Sequence, residues 1–232
     1  MKYVNSMRAA AALLLGCAAV PALAADINVT VVAGHPPVFL WVKHLTHTFI
    51  PTVNAKLEGA EYKINWKEAY GGTLVAVGGE IEAIEDGLAE VGIIPTLFAP
   101  STLPLQNVTY NTPFGAPDAQ TILDTMARLY EEIPGMKETW SEYNATYLGG
   151  GHALDNYLLM TNFPVKSIDD LKGRKLGAPG PAVTWLEGTG AVAVSGNLTP
   201  YYNDIQTGVF DGVIGFAPRQ ALPSCRKSRR TS

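Results

Sequence analysis

The sequence predicts an α/β fold that is divided into two lobes. The first observation behind this prediction is that strand-like and helix-like segments alternate between residues 27 and 94. The second is that a strand, a tight turn, a helix and further strand-like residues follow one another between Ser167 and Gly215. Alternation of this kind is typical of a parallel sheet whose faces are covered by helices.

The first lobe is predicted to hold most of the regular structure. Its elements are, in chain order, a strand at 27–33, a helix at 38–57, a strand at 62–66, a helix at 80–88, a strand at 91–94, a loop at 95–104, helices at 118–130 and 134–143, and a strand at 146–149. Residues 27–33 are rich in β-branched side chains, which suit a buried strand. Pro51 lies inside the first helix and is expected to break or kink it, because proline has no backbone N–H to donate.

The boundary between the lobes is predicted at three consecutive glycines, 149–151, which suit a hinge, although an ordinary loop would also accept them. Lobe I then spans 25–150 and lobe II spans 151–218. The elements of lobe II are strands at 157–161 and 175–178, helices starting at 181 and at 200, and a strand at 209–216. Pro181 suits the first turn of a helix, and the N–H groups there are expected to attract an anion. We expect Thr199 to cap the next helix and Gly208 to end it.

The two ends of the chain differ in composition from the part between them. Residues 1–24 combine a positive start, an apolar core and a small-residue cleavage site, which predicts a secretory signal peptide and a periplasmic location, with an uncleaved anchor as the alternative. Residues 219–232 contain five Lys/Arg and no acidic residue, which predicts an aberrant, solvated basic tail or a segment that binds phosphates or a partner. The only cysteines are Cys17 and Cys225, so no disulfide framework is predicted.

Composition restricts the class of partner. Hydrophobic residues make up 47% of the chain and charged residues 16%, which is typical of a globular protein and not of a disordered one. Residues 25–218 hold all 21 acidic residues and ten Lys/Arg, a balance of −11. A body this acidic argues against nucleic acid as a partner.

Three motifs resemble a known family. The stretch D-D-L-K-G-R-K-L-G-A-P-G occupies 169–180, Y-Y-N-D-I-Q-T-G-V-F-D-G occupies 201–212, and E-A-I-E-D-G-L-A-E-V-G-I occupies 82–93. In this order they resemble the solute receptors of tripartite ATP-independent periplasmic (TRAP) transporters, the DctP family. The resemblance extends from Asp26 to about Phe216.

The resemblance implies a periplasmic-binding-protein-like fold in which the second lobe is incomplete. Receptors of this family continue well beyond the position at which the composition of this chain changes, the start of the basic tail at 219. The resemblance further implies a monomeric receptor without a cofactor that captures a small organic, carboxylate-containing solute and delivers it to the TRAP membrane permease. The arginine with which the family grips a carboxylate would fall at Gly177. Because a planar guanidinium suits carboxylates, its loss argues against a simple sialic-acid-like or dicarboxylate ligand.

Ten residues are predicted to contact the solute, because ligands of α/β proteins collect at the carboxyl ends of strands. They are His35, Phe39, Tyr70, Gly72, Thr96, Asn156, Tyr157, Pro179, Ala182 and Phe216. By the resemblance, Tyr157 and Phe216 also lie near ligand-facing positions of the family. Aromatic rings offer a large contact area, but packing in the core is the alternative for each of them alone.

Signatures of catalysis are missing from the sequence. There is no G-x-S-x-G nucleophile motif, and the glycine pairs lack the context of a nucleotide-binding loop. His44 and His47 would share a helix face, but a zinc site needs a third ligand, so no metal is expected. Two alternatives to a solute receptor stay open at this point, namely a secreted α/β hydrolase and a non-functional truncated fragment.

Overall fold

The computed structural model describes residues 25–112, 115, 118–149 and 157–215. These residues form two separate β-sheets, one of three strands and one of four. The predicted signal peptide, the predicted lobe boundary at 150–151 and the predicted tail lie outside the described residues. None of the helices in the described part of the chain combines the length and the hydropathy that a membrane span requires.

The first sheet is entirely parallel, as the sequence predicts. Its strands are β1 (Ala25–Ala33), β2 (Tyr62–Tyr70) and β3 (Val91–Gly92), in the order β2-β1-β3. Strand β2 is four residues longer than expected, and its last two residues, Ala69 and Tyr70, are buried. Because all three strands run the same way, their carboxyl ends lie along one edge of the sheet.

One long helical segment covers a face of this sheet. It consists of α1 (Leu40–His44), a π-helical turn (Leu45–Phe49) and α2 (Ile50–Lys56). The sequence predicts a break or kink at Pro51, whereas the segment continues through this residue. A π turn directly before the proline shifts the hydrogen-bonding pattern, which accommodates a residue that has no N–H to donate.

A helical layer packs on the remainder of the first lobe. It contains α3 (Glu80–Glu85), α4 (Val108–Asn111), α5 (Ala119–Glu132), α6 (Gly135–Glu142), and 3₁₀ helices at Thr96–Phe98 and Leu105–Asn107. Helix α5 begins after Asp118, whose carboxylate accepts a hydrogen bond from the N–H of Thr121 at 2.8 Å. Such a bond satisfies one of the unpaired N–H groups at a helix start.

The predicted strand at 146–149 is wrong, because these residues form no strand. The ring of Tyr147 instead stacks on Tyr130, with centroids 3.9 Å apart, and lies 6.0 Å from Trp140. The ring of Tyr147 therefore packs against the helical core of the first lobe, whereas Leu148 is exposed. Neither residue extends a sheet.

The second sheet contains β4 (Leu158–Thr161), β5 (Lys175–Pro179), β6 (Val192–Gly196) and β7 (Gly212–Gly215), in the order β4-β7-β5-β6. Strand β5 is parallel to both of its neighbours, whereas β4 is antiparallel to β7. The amino-terminal start of β4 consequently lies at the same edge as the carboxyl ends of β5, β6 and β7.

Two helical segments of the second lobe differ from their predictions. The α-helix expected from Pro181 is a 3₁₀ helix, Gly180–Leu186. Helix α7 (Tyr201–Gln206) follows Pro200 and has no side-chain cap, so the predicted role of Thr199 is wrong. The N–H of Thr199 donates to the Asn197 side chain at 3.1 Å, which forms a turn before the helix. Gly208 has a φ of +74° just after α7, as expected for a residue that ends a helix.

The packing of the second sheet can be tested at Gly212. Gly212→Ala is expected to lower the free energy of unfolding by about 1–3 kcal/mol through overpacking. A Cβ at this position would lie 2.6 Å from the carbonyl oxygen of Met160 and 2.7 Å from the methyl group of Thr161. The matched control is Gly135→Ala, since a Cβ there meets only the mobile end of Leu105. Equal urea midpoints for the two variants would contradict this packing.

Candidate ligand-binding cleft

The two sheets face each other through their strand ends. The 3₁₀ helix Thr96–Phe98 follows β3 of the first lobe, and the 3₁₀ helix Gly180–Leu186 follows β5 of the second. A Cβ placed on Gly180 would overlap the carbonyl oxygen of Leu97. The backbones of the two lobes therefore touch at the edge where α/β proteins bind ligands.

His35 forms the centre of an aromatic group at the end of β1. Its ring lies 5.2 Å from Phe39, 5.3 Å from Trp41 and 5.6 Å from Phe98, measured between centroids. Phe39 stacks on Trp41 at 4.7 Å. We call these four residues the aromatic wall. It combines two residues from the β1–α1 connection and one from α1 with Phe98 from the 3₁₀ helix after β3.

The imidazole of His35 is unusual because it is only 2% exposed and neither of its nitrogens has a hydrogen-bond partner among the described residues. Burial lowers the pKa of His35 from 6.5 to about 4, because the charged form cannot be solvated there. At neutral pH the ring is therefore uncharged. A neutral imidazole carries one donor and one acceptor nitrogen, so it can contact a polar group without attracting its charge.

The other predicted residues of the first lobe occupy three different environments. Tyr70 is buried in the core between β2 and α1, and burial raises its pKa to about 12. Gly72 is exposed at the loop after β2, with a φ of +83°. Thr96 is half-buried, and its carbonyl oxygen accepts a bond from the side chain of Asn107. Thr96 and His35 belong to the strand-end loops that meet the second lobe, whereas Tyr70 packs mainly inside the first.

Three of the predicted residues of the second lobe, Pro179, Ala182 and Tyr157, lie along its facing edge. Pro179 ends β5 and Ala182 follows in the 3₁₀ helix, but both side chains are buried, Ala182 in a core with Leu176 and Leu186. Tyr157 is half-buried and precedes β4. The remaining two predicted residues, Asn156 and Phe216, lie outside the described part of the chain.

Two aromatic residues that sequence reasoning did not select connect the lobes. The hydroxyl of Tyr110 in α4 shares a 2.7 Å hydrogen bond with the hydroxyl of Tyr157. The indole N–H of Trp185 donates to the carbonyl oxygen of Tyr110 at 2.9 Å, and the Trp185 ring lies 5.2 Å from that of Tyr157. Burial raises the pKa of Tyr110. These contacts span 47 and 75 residues of sequence, so no local pattern announces them.

Asn107 was also missed, although it supports the cleft. Its side chain is 2% exposed, and its amide nitrogen donates to the carbonyl oxygens of Thr96 and Leu103, each at 2.9 Å. A buried amide that bonds two carbonyls fixes the backbone that carries them. Asn107 therefore holds the 3₁₀ helix that meets the second lobe.

Gly177, where the family's arginine would fall, faces the interior of the second lobe. A Cβ on Gly177 would lie 3.1 Å from the Phe210 ring and 3.2 Å from a methyl group of Val213. The nearby cations, Arg174 and Lys175, lie at the amino-terminal start of β5, away from the edge that faces the first lobe. Arg174 is engaged there by the Phe163 ring at 4.3 Å. A long cationic side chain at position 177 would have to displace the Phe210 ring.

The two helical histidines provide no metal site. His44, at the end of α1, and His47, in the π-helical turn that follows, are both exposed. Within the described ranges, no group of three or more His, Cys, Asp or Glu side chains is arranged to hold a metal ion. The adjacent Glu131 and Glu132 are exposed at the end of α5, and Glu132 pairs with Arg128 at 3.0 Å.

The approach of the two lobes can be tested by comparing two glycines with positive φ. Gly180 and Gly188 have φ values of +48° and +78°, so alanine is strained at both, but only the Gly180 Cβ would meet the other lobe. We expect Gly180→Ala to lose at least about 1 kcal/mol more unfolding free energy than Gly188→Ala, because overpacking adds to the strain. The check is urea denaturation of both variants. Equal losses would show that the lobes do not touch at Gly180.

The neutrality of His35 predicts a pH dependence. The folded state binds fewer protons than the unfolded state between the folded pKa of about 4 and the unfolded value of 6.5, so His35 makes stability fall as the pH falls through this window. From pH 7 to pH 5 the expected loss from this residue is about 2 kcal/mol. His35→Phe keeps a ring without a titrating nitrogen and should remove that loss from the urea-derived pH profile. Parallel profiles for the two proteins would contradict the assignment.

Comparison with solved structures supports the fold. The chain resembles an extracytoplasmic solute receptor of Bordetella pertussis that binds pyroglutamic acid, at 21% identity and a TM-score of 0.62, covering 82% of this chain and 60% of that one. It also resembles a TRAP solute-binding protein of Haemophilus influenzae RdAW with bound L-gulonate, at 17% identity and a TM-score of 0.66, covering 81% and 60%. A marine metagenome TRAP protein specific for aromatic acids, in complex with 3-hydroxybenzoate, matches at 17% identity and a TM-score of 0.64, covering 82% and 58%.

These similarities confirm the predicted α/β, periplasmic-binding-protein-like fold. The chain spans about 60% of the length of the first two of these structures. A family model described as bacterial extracellular solute-binding protein, family 7 (DctP), matches residues 35–216, which is more than half of the chain. The chain therefore belongs to family 7 of the bacterial extracellular solute-binding proteins.

Proposed function

We propose that this chain is the periplasmic solute-capturing component of a TRAP transporter, which binds a small organic acid between its two lobes and passes it to a membrane permease. The observation that carries the proposal is the contact between the strand-end loops of the two sheets at Leu97 and Gly180. Ligands of α/β proteins bind at such edges, and a site between two lobes can enclose a small molecule completely.

Capture of this kind requires no covalent chemistry. A solute that contacts both lobes binds the closed arrangement more tightly than an open one, and it shifts the equilibrium between them by that difference in affinity. The bonds of Tyr110 to Tyr157 and Trp185 already cross between the lobes. Because these bonds already stabilise the closed arrangement, the solute has to supply less of the free energy of closure.

The chemistry of the facing edges suggests which acids fit. The strand-end segments at 34–39, 70–79, 93–99 and 179–184 contain aromatic residues and a neutral imidazole but no Lys or Arg. A multiply charged anion would lose its hydration there without gaining a counter-charge. A monocarboxylate with a ring or with hydroxyl groups would gain contact area and hydrogen bonds. Three similar structures hold such acids, namely pyroglutamic acid, L-gulonate and 3-hydroxybenzoate.

The proposal is tested by thermal shift and calorimetry with pyroglutamate, 3-hydroxybenzoate, L-gulonate and, as a contrasting acid, succinate. A monocarboxylate present at 100 times its Kd should add about 2.7 kcal/mol to the unfolding free energy. Equal or greater stabilisation by succinate would count against the proposed solute class. No stabilisation by any of the four would count against the receptor function of this chain.

A pair of aromatic variants locates the site. Phe39→Ala removes a ring of the aromatic wall and should weaken binding of the best acid about tenfold, as expected for a buried aromatic contact. Tyr62→Ala is the matched control, because Tyr62 is an exposed aromatic residue at the opposite edge of the same sheet. Similar losses for both variants would place the solute elsewhere.

A further inference from the structure

A buried carboxylate, Glu80, lies behind the aromatic wall. Glu80 begins α3 and is 0% exposed. Acidic side chains are almost never fully buried unless they are paired. Among the described residues no Lys, Arg or His forms an ion pair with Glu80, and its partners are backbone groups. The N–H of Gly34 donates to Oε1 at 2.9 Å, and the N–H of Gly78 donates to Oε2 at 2.7 Å.

The backbone is packed tightly around this carboxylate. A Cβ on Gly34 would lie 2.5 Å from the backbone of Val77 and 2.7 Å from Glu80 Oε1. Gly78 has a φ of +97°, and a Cβ there would lie 3.1 Å from the carbonyl oxygen of Phe98. The backbone therefore leaves no room for a side chain at Gly34 and little room at Gly78, so the carboxylate lies in a tightly packed space between the two loops.

One of the two loops that Glu80 joins carries residues of the aromatic wall, and the other packs against the wall. Gly34 immediately precedes His35, and Gly78 lies against Phe98. The ring centroids of His35 and Phe98 are 5.6 Å apart, so these two rings lie close together next to the segments that Glu80 joins. The neighbour of Phe98, Leu97, is the residue whose carbonyl oxygen meets Gly180 of the second lobe. A displacement of either loop would thus alter both the wall and the contact between the lobes.

We infer that Glu80 is a positioning residue of the solute site, whose carboxylate fixes the loops at Gly34 and Gly78 so that His35, Phe98 and Leu97 meet the solute and the second lobe. Glu80 itself does not touch the solute. The inference rests on the proposed function, because the loops matter for binding only if the solute lies between the lobes. Burial raises the pKa of Glu80, and the two N–H groups oppose this by stabilising the ionised form.

Glutamine is the sharpest probe of this role. A carboxylate offers two acceptor oxygens to two donors, whereas an amide of the same shape offers one oxygen and one NH₂ group. In Glu80→Gln the NH₂ group must face one of the glycine N–H groups, so one loop loses its partner. Glu82→Gln is the matched control, since Glu82 lies on the same helix with its side chain exposed. Both variants remove one negative charge.

The experiment measures two quantities on the folded variants at pH 7. Hydrogen exchange followed by NMR should show that Glu80→Gln loses protection at the amide of Gly34 or Gly78, while Glu82→Gln keeps both. Calorimetry with pyroglutamate and 3-hydroxybenzoate should show affinity about tenfold weaker for Glu80→Gln and unchanged for Glu82→Gln, as expected for one buried donor left unpaired. An affinity loss in a variant that remains fully folded cannot come from lowered stability alone.

The possible outcomes separate this inference from the proposed function. Native affinity in a folded Glu80→Gln variant overturns the inference and leaves the receptor function intact. If the unmodified protein binds none of pyroglutamate, 3-hydroxybenzoate and L-gulonate, the proposed solute class fails. Amide exchange then decides alone, and unchanged protection at both glycines overturns the role of Glu80. If Glu80→Gln does not fold, amide exchange is measured on the unmodified protein. The inference is overturned if the amides of Gly34 and Gly78 exchange as fast as the amide of the exposed Gly72.

Discussion

The close approach of Gly180 to the carbonyl oxygen of Leu97 is the contact on which the arrangement of this molecule depends. It joins the loop after β3 of one sheet to the loop after β5 of the other, so the strand ends of the two sheets lie next to each other. Only a residue without a side chain can stand at this point, because a Cβ would overlap the opposing backbone.

The first-lobe side of this contact is supported by two buried polar groups. Asn107 bonds the carbonyl oxygen of Thr96, and Glu80 bonds the N–H groups of Gly34 and Gly78. A buried polar side chain lowers stability when its hydrogen bonds are not made. When it is hydrogen-bonded to the backbone, as here, it favours one backbone geometry over others. The first lobe thus presents a preformed surface of aromatic rings and an uncharged imidazole. The second lobe contributes backbone, together with Tyr157 and Trp185, which reach toward Tyr110.

The sequence predicts the fold well where one element determines its own structure. The β-branched run of β1 and the glycine after α7 are confirmed, and the family match supports the prediction of a solute receptor without catalytic activity. Predictions failed where distant contacts decide, as at Tyr147, which packs into a helical core. Asn107 shows locally only an Asn-Val-Thr tripeptide, and Glu80 resembles any acidic residue at a helix start. The role of Asn107 depends on Thr96, 11 residues away, and the role of Glu80 depends on Gly34, 46 residues away.

Binding of the proposed solute between the strand-end loops should affect both lobes together. This is measured by hydrogen–deuterium exchange followed by mass spectrometry, with and without saturating pyroglutamate or 3-hydroxybenzoate. We expect slower exchange in peptides that cover His35 to Phe39, Leu97 and Gly180 to Ala182, with both lobes protected together. Binding accompanied by protection confined to one lobe, or to the groove between α2 and the start of β2 lined by Asn54 and Lys63, would contradict a site between the lobes.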